Sequence, residues 1–399
     1  MTLVLLLLST VVALACLILE RTRLDRHRRA IALVIAVTGT RGKSSVTRML
    51  ASVLREGGRQ VLAKTTGSEA ALILPDGSEQ RVSRSGHPSI IEQKHFVHLG
   101  SSLGVDTAVV EIMSIHPENH FVETHRLIKP DLVLVTNFRI DHTAAMGETR
   151  DEVVSVIGQD IPHGARVFVP QQECVPGFRL TVAEQGGELI EVAPRTAVPL
   201  TGGGPEPTVS QFRENIDLVC AAARSLGVQD EMIRQGIART HRDSGALRIW
   251  RYRPSIARTD CFLVNAFAAN DPESTLLIHD KVMNALGADP QRCVGLLNLR
   301  SDRGDRTLQW ADSLVEGGLS RFHLLYVCGL HAPALRRRLG RSDVVPIEVL
   351  RRTRPASMTR TVLSGIGDAG GVVFGFGNIA GAGESLVAHW REVGEPWEV

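Results

Sequence analysis

Lysine is nearly absent from this chain of 399 residues. Lys43, Lys64, Lys94, Lys129 and Lys281 are all there are, so the 45 basic side chains are almost entirely arginine. Net charge is only +2, which removes the global basic field expected of a nucleic-acid binder. The six cysteines, at 16, 174, 220, 261, 293 and 328, are spaced too widely for a structural zinc site or a redox Cys-x-x-Cys pair. They read as reduced thiols of a protein exposed to cytosol. With 43% hydrophobic and 22% charged residues, wholesale disorder is excluded. The length suits two ordinary domains.

Long apolar runs are also scarce, except at the start. Leu3 to Leu19 carries no charge and lies at the short end of what crosses a hydrocarbon core of ~30 Å. Arg21, Arg23, Arg26, Arg28 and Arg29 follow at once, and no basic side chain precedes the run. The positive-inside bias therefore predicts a single-pass cell-membrane anchor with its N-terminus outside and everything after Arg21 in the cytoplasm. A cleaved signal peptide, or a lipoprotein signal ending at Cys16, would lack its usual basic leader. The expected layout is an anchor over 1–20 and a basic linker over 21–30; the stretch from Glu20 to Ala30 would reach at most ~35–40 Å if fully extended.

Ile31 to Val37 is a continuous apolar run of the kind expected for a strand buried on both faces. Thr38-Gly39-Thr40-Arg41-Gly42-Lys43-Ser44-Ser45 follows directly. Val46, Met49, Leu50, Val53 and Leu54 then recur at helical spacing until Gly57-Gly58. Strand, glycine loop with Gly-Lys-Ser, then helix is the context of a phosphate-binding loop. Gly39 to Ser45 would wrap backbone N–H groups around ATP phosphates, Lys43 would reach the β/γ-phosphates, and Ser44 would ligate Mg²⁺. Thr38 stands where the general pattern has a glycine. Two more buried strands are expected at Val105–Ile112, ending in Glu111, and at Asp131–Thr136, which runs into Asn137-Phe138-Arg139-Ile140-Asp141-His142. Ligands gather beyond the carboxyl ends of such strands, so the three segments converge on one edge.

In this order the segments resemble the Mur-ligase superfamily of ATP-dependent amide ligases. The fold class so implied is α/β: an N-terminal transmembrane helix, a Mur-ligase-like P-loop ATPase domain over 31–242, and a smaller Rossmann-like domain over 243–399. The resemblance further implies that Glu111 and His142 share a second Mg²⁺, that Asn215 in Gln211-Phe212-Arg213-Glu214-Asn215 meets adenine, and that Arg248 in Asp243-Ser244-Gly245-Ala246-Leu247-Arg248 meets the γ-phosphate. Between His142 and Asn215 there is no lysine, so the carbamylated lysine that superfamily members often add to the metal site is absent or replaced.

Peptidoglycan ligases hold a UDP-sugar domain ahead of the loop, and here the loop starts at residue 39. Folylpolyglutamate synthetases usually read GTNGKGS, whereas this chain reads GTRGKSS. With Lys64-Thr65-Thr66-Gly67 and Gly375-Phe376-Gly377-Asn378-Ile379-Ala380-Gly381, the set resembles the catalytic subunits of capsule-type poly-γ-glutamate synthases. Glutamate, the growing polymer and integral-membrane partner subunits are the partners implied, with ADP and phosphate as products; a homo-oligomer is compatible and nucleic acid is not expected. Val294–Leu299, His323–Cys328 and Gly371–Phe374 read as strands of the second domain. Arg300, Arg303 and Arg306 follow the first of these and suit carboxylate recognition, against a self-neutralised surface loop. The Gly375–Ala380 stretch reads as a tight backbone turn rather than a dinucleotide site, and Pro194–Pro207 as a surface connection. The rival functions are a folylpolyglutamate-type ligase and an ATP-driven export or scaffold subunit.

Overall fold

The computed structural model describes residues 2–67, 70–84, 86–194, 213–241, 245–253, 259–269, 271–301, 304–340, 345–351, 354–367 and 370–397. Arg303, Gln211, Phe212, Asp243, Ser244 and the connection after Pro194 lie outside them. The chain divides into two compact units, Met1–Gly204 with Arg213–Arg242 and Pro205–Phe212 with Asp243–Val399.

The strands of the first unit are β1 (Leu33–Thr38), β2 (Val61–Thr65), β3 (Ala71–Ile73), β4 (Glu79–Arg81), β5 (Thr107–Glu111), β6 (Leu132–Val135), β7 (Arg166–Pro170) and β8 (Glu188–Val192). They form one sheet in the order β4-β3-β2-β5-β1-β6-β7-β8, parallel except at the β2–β3 and β3–β4 pairings. Its central strand is β1, with Val37 opposite Glu111 on one side and Thr38 opposite Val135 on the other. Apolar side chains leave β1 on both faces: Val34 and Ala36 join one core cluster, Ile35 and Val37 the other. That two-sided burial is why the sequence shows an unbroken apolar run instead of alternation.

Helices α1 (Thr2–Arg29), α2 (Lys43–Glu56), α3 (Glu92–Ser102), α4 (Pro117–Phe121), α5 (Thr143–Met146), α6 (Arg150–Gly158), α7 (Pro176–Glu184), α8 (Arg213–Ser225) and α9 (Asp230–Ala238) complete the unit. A π-helical stretch, Val122–Ile128, continues α4. On one face of the sheet α2 buries Val46, Met49, Leu50, Val53 and Leu54 together with residues of α8 and α9. Ser52 of α2 donates to the Gly236 carbonyl of α9 at 2.7 Å.

The basic segment expected as a linker over 21–30 is, as far as Arg29, the end of α1. Its physical reason is a set of partners along one helical side. Leu24 is buried with Ile31, Phe96, Val97 and Val105. Arg28 donates to the carbonyls of Ile31, Ile128 and Lys129 and to the Asp131 carboxylate at 2.7 Å. Lys129 reaches Asp25 at 2.6 Å, and Glu20 pairs with Lys94. The apolar part of α1, by contrast, is fully exposed, with Leu3 to Leu19 offering its large side chains outward. Among the described residues it is the one helix long and apolar enough to cross a membrane.

The second unit carries β9 (Arg248–Tyr252), β10 (Cys261–Asn265), β11 (Cys293–Asn298), β12 (Leu324–Cys328), β13 (Ile347–Val349), β14 (Gly371–Phe376) and β15 (Glu395–Trp397), in the order β13-β12-β11-β14-β10-β9-β15. The run from β13 to β10 is parallel, and β9 and β15 add antiparallel pairings at one edge. Trp310, Phe322, Phe374 and Phe376 pack on one another in its core. Cys174, Cys220, Cys261, Cys293 and Cys328 are buried, while Cys16 is exposed on α1.

Candidate functional site

Everything between β1 and α2 is shaped for close approach of backbone to a ligand. Gly39 has φ +114°, and a Cβ there would stand 2.2 Å from Thr136 Oγ1. Gly42 has φ +84°, and a Cβ there would stand 2.7 Å from Asn215 Nδ2. Only glycine meets both demands. The loop ends at the first turn of α2, whose free N–H groups and dipole favour an anion. Lys43 Nζ donates to the Gly39 carbonyl at 2.7 Å, curled over the loop from the first residue of the helix. Ser45 is exposed beside it.

The segment after β6 clamps this loop. Asn137 Oδ1 accepts from Thr40 Oγ1 at 2.7 Å and from the Arg41 N–H at 3.2 Å, and Asn137 Nδ2 donates to the Arg41 carbonyl at 2.9 Å. Thr136 Oγ1 donates to the Thr38 carbonyl. Further along, Arg41 pairs with Asp141 at 3.0 Å, and His142 Nε2 stands 3.7 Å from Asp141 Oδ2. His142 itself holds a left-handed backbone (φ +49°) at the start of α5, a strained position of the sort found at functional sites. Thus Thr136, Asn137 and Asp141 contact the end of β1 and the phosphate loop, and His142 adjoins Asp141.

From the other neighbour of β1 comes Glu111, the last residue of β5 and 3% exposed. Its Oε2 accepts from the Ser44 hydroxyl at 2.8 Å and from the Thr66 N–H at 2.7 Å. Neither partner carries positive charge. A buried carboxylate whose hydrogen-bond donors among the described residues are neutral, touching the hydroxyl of a phosphate loop, is an oxygen donor suited to a hard divalent cation. No group of three or more His, Cys, Asp or Glu side chains arranged for a metal occurs among the described residues.

Beneath the loop lies a charged layer that the motifs do not announce. Thr38 Oγ1 donates to Asp160, and the His120 ring meets the same carboxylate at 2.9 Å. Burial pulls the His120 pKa down, but Asp160 beside it wins and holds it above the ordinary 6.5. Glu123, in the π-helical stretch, accepts from Gln93 Nε2 at 2.6 Å and from the N–H groups of Met113 and Ser114. Burial pushes its pKa up. Lys64, 1% exposed, donates to Gln93 Oε1 and pairs with Glu92, each at 3.1 Å. Burial lowers its pKa, with Glu92 opposing. His120, Glu123 and Asp160 were not foreseen; the available signal was ionisable residues set inside apolar stretches, such as Asp160 beside Ile161.

Asn215, buried in the first turn of α8, packs against Gly42 of the loop. In the second unit, Arg248 opens β9, Arg300 follows β11, and Arg306 sits in the helix Gly304–Val315. Arg300 lines a cavity of about 1000 Å³ with Asn298, Ser301, Gly329, Arg351 and Ser385, beyond the carboxyl ends of β11, β12, β13 and β14. Here the outgoing connections diverge: the helix after β11 packs Trp310 and Leu314 on one face of the sheet, and the helix Ala382–Val393 after β14 packs Leu386 and Trp390 on the other, which is the usual place for a ligand in such sheets. Of the stretch expected as a tight turn, Gly375 and Phe376 are instead the end of β14, paired in the sheet, and the turn follows from Gly377: Asn298 Nδ2 donates to the carbonyls of Asn378 at 2.7 Å and Ala380 at 3.1 Å.

Residues 37–156 match the Mur ligase middle domain, and residues 252–393 match the poly-gamma-glutamate synthase CapB C-terminal domain. The capsule biosynthesis protein CapB of Bacillus anthracis is 27% identical over 381 residues, 91% of this chain and 77% of that protein. The PGA synthase CapB of Bacillus subtilis is 29% identical over 319 residues, 78% of each. Among solved structures, E. coli FolC in complex with DHPP and ADP superposes with a TM-score of 0.67 at 18% identity, covering 94% of this chain and 91% of that one. A bifunctional folylpolyglutamate synthase/dihydrofolate synthase from Yersinia pestis, complexed with AMPPNP and Mn, gives 0.67 at 14% identity, covering 93% and 92%.

Proposed function

Because the chain is a homologue of the CapB poly-gamma-glutamate synthase proteins and has a Mur-ligase-like fold, we propose that it polymerises glutamate through γ-carboxyl amide bonds. It is an ATP-dependent amide ligase. The observation that carries the reading is the contact of Ser44 in the phosphate loop with the buried Glu111.

A carboxylate resists an amine because its oxygen is a poor leaving group. Transfer of the ATP γ-phosphoryl group breaks the bond to ADP and makes an acyl phosphate. The amine of the next glutamate attacks that carbonyl, the C–O bond to phosphate breaks, and the amine proton is given up. The chain's own task is positioning and charge neutralisation. Gly39 to Ser45 cradle the phosphates, Lys43 exchanges the Gly39 carbonyl for them, Arg248 meets the γ-phosphate, and Asn215, which lies against Gly42, meets adenine. Arg300, Arg303 and Arg306 are proposed as grips for substrate carboxylates, supported by the position of Arg300 in the cavity wall. Ser44, Glu111 and His142 would hold Mg²⁺, which when bound screens phosphate charge.

The exposed apolar α1 supports a single-pass anchor; the N-terminus outside and both units cytoplasmic are proposed from the arginines that follow it, and integral-membrane partner subunits are proposed to work with the chain. The 31–242 and 243–399 segments are proposed as the functional domains. Likeness to FolC favours a folylpolyglutamate-type ligase as the second reading. The deciding experiment offers membranes containing the chain either glutamate or a folate acceptor, with ATP. Glutamate-containing amide polymer supports the proposal; preferential extension of the folate, or ATP turnover with no amide at all, overturns it.

A further inference from the structure

We propose that the strand-end edge of the first unit, which carries the phosphate loop and Glu111, faces the lipid headgroup layer, so that amide bonds form against the membrane surface. The inference rests on the reading of Leu3–Leu19 as a membrane span. It follows from the direction in which α1 is docked. Glu20 pairs with Lys94, and His27 meets both Ser101 at 3.1 Å and His98 at 3.2 Å, so α1 and α3 run side by side in the same direction. From its end at Ser102, α3 turns through Leu103–Asp106 directly into β5 and so runs opposite to the strands. Its last turn lies where the strands begin and its first turn where they end.

Both ends of α1's docked portion agree with this. Arg28 bonds to Ile128, Lys129 and Asp131 just before β6, and Asp131 also accepts the N–H of Val34 near the start of β1. At the opposite edge Gln93, the neighbour of Lys94, donates to the carbonyl of Glu111 at 3.5 Å. From Arg28 back to Glu20 is about 12 Å of helix, close to the ~16 Å length of a five-residue strand. The apolar run therefore leaves the unit at the level of the strand ends, on the side of the phosphate loop. Because the former linker is helix held by buried contacts, the catalytic edge is fixed against the bilayer rather than swinging on a tether. Exposed isoleucines at this edge, Ile91 before α3 and Ile140 after β6, suit an interfacial layer.

The test uses the full chain in lipid nanodiscs. Fluorophores are placed at Ile91→Cys and Glu118→Cys on the strand-end edge and at Gln60→Cys on the strand-start edge, each with Cys16→Ser. Headgroup nitroxide lipids are expected to quench the first two several-fold more than the third, given a strand's length between them. Equal or stronger quenching at Gln60 overturns the proposed orientation. A parallel sample labelled at native Cys16 is read with acyl-chain nitroxides. If Cys16 is quenched and Gln60 is the closer site, the span stands and the orientation fails; if Cys16 is not quenched, the span itself fails and the proposal falls with it.

Discussion

Ser44 and Glu111 lie 67 residues apart in sequence, yet the serine hydroxyl donates to Glu111 Oε2 at 2.8 Å across the end of the sheet. The contact ties the phosphate loop after β1 to the strand beside it. The described hydrogen-bond donors to Glu111, Ser44 and the Thr66 N–H, are neutral, which leaves the carboxylate suited to a divalent cation brought with the nucleotide. Glu111→Gln keeps the shape and removes the charge. ATP turnover is expected to fall about 100-fold or more, with a higher requirement for divalent cation. The thermal midpoint should hold or rise, since a buried charge destabilises the free protein. Turnover measured across a metal titration, beside a melting curve, checks both.

Gly39→Ala puts a methyl group 2.2 Å from Thr136 Oγ1 on a backbone at φ +114°. The substitution should cost about 1–3 kcal/mol of stability and abolish nucleotide binding. Calorimetric titration with ADP is the measurement. Undiminished affinity would mean that the loop does not take the phosphates.

Arg28→Ala removes the donor that satisfies carbonyls of Ile31, Ile128 and Lys129 and faces Asp131. A loss of about 2–4 kcal/mol is expected, together with new protease cleavage between residues 21 and 30. Lysine at this position should rescue only part of the loss, because one ammonium cannot reproduce the guanidinium fork. Urea unfolding and limited proteolysis provide the readouts.

The His120–Asp160 pair gives a pH signature. Asp160 raises the folded His120 pKa above 6.5 in spite of burial. Its stabilisation is therefore complete below about pH 6.5 and is lost as pH rises through the raised folded value. The stability advantage of wild type over His120→Gln should shrink as urea unfolding is repeated from pH 6 upward, by roughly the linkage slope of one proton. An advantage that grows with pH would contradict the assignment.

Much of the site was legible because its chemistry is local in sequence. The unbroken apolar run before Gly39 became β1, the Gly-Lys-Ser step became the start of α2, and Glu111, Thr136 and Asn137 stand at the ends of the strands flanking β1. What escaped is what depends on tertiary partners. Arg28 reads as part of a linker until Lys129 and Asp131, a hundred residues away, give it carbonyl and ion-pair partners, while Lys129 pairs with Asp25 one helical turn earlier. His120, Glu123 and Asp160 are buried only because the π-helical stretch and α6 fold over the loop's underside, and no spacing rule announces such a layer. The antiparallel strands β9 and β15 are short and bind at a sheet edge, where apolar patterning is weakest.

The central claim is that the phosphate loop hands a terminal phosphoryl group to a glutamate carboxylate. The most direct measurement is nucleotide and phosphate release by membranes containing this chain, with and without glutamate, for wild type and Lys43→Ala. Glutamate-dependent release of ADP and phosphate, matched by amide formation and lost in Lys43→Ala, is the predicted result. Release of AMP and pyrophosphate, or ATP turnover indifferent to glutamate, would contradict it.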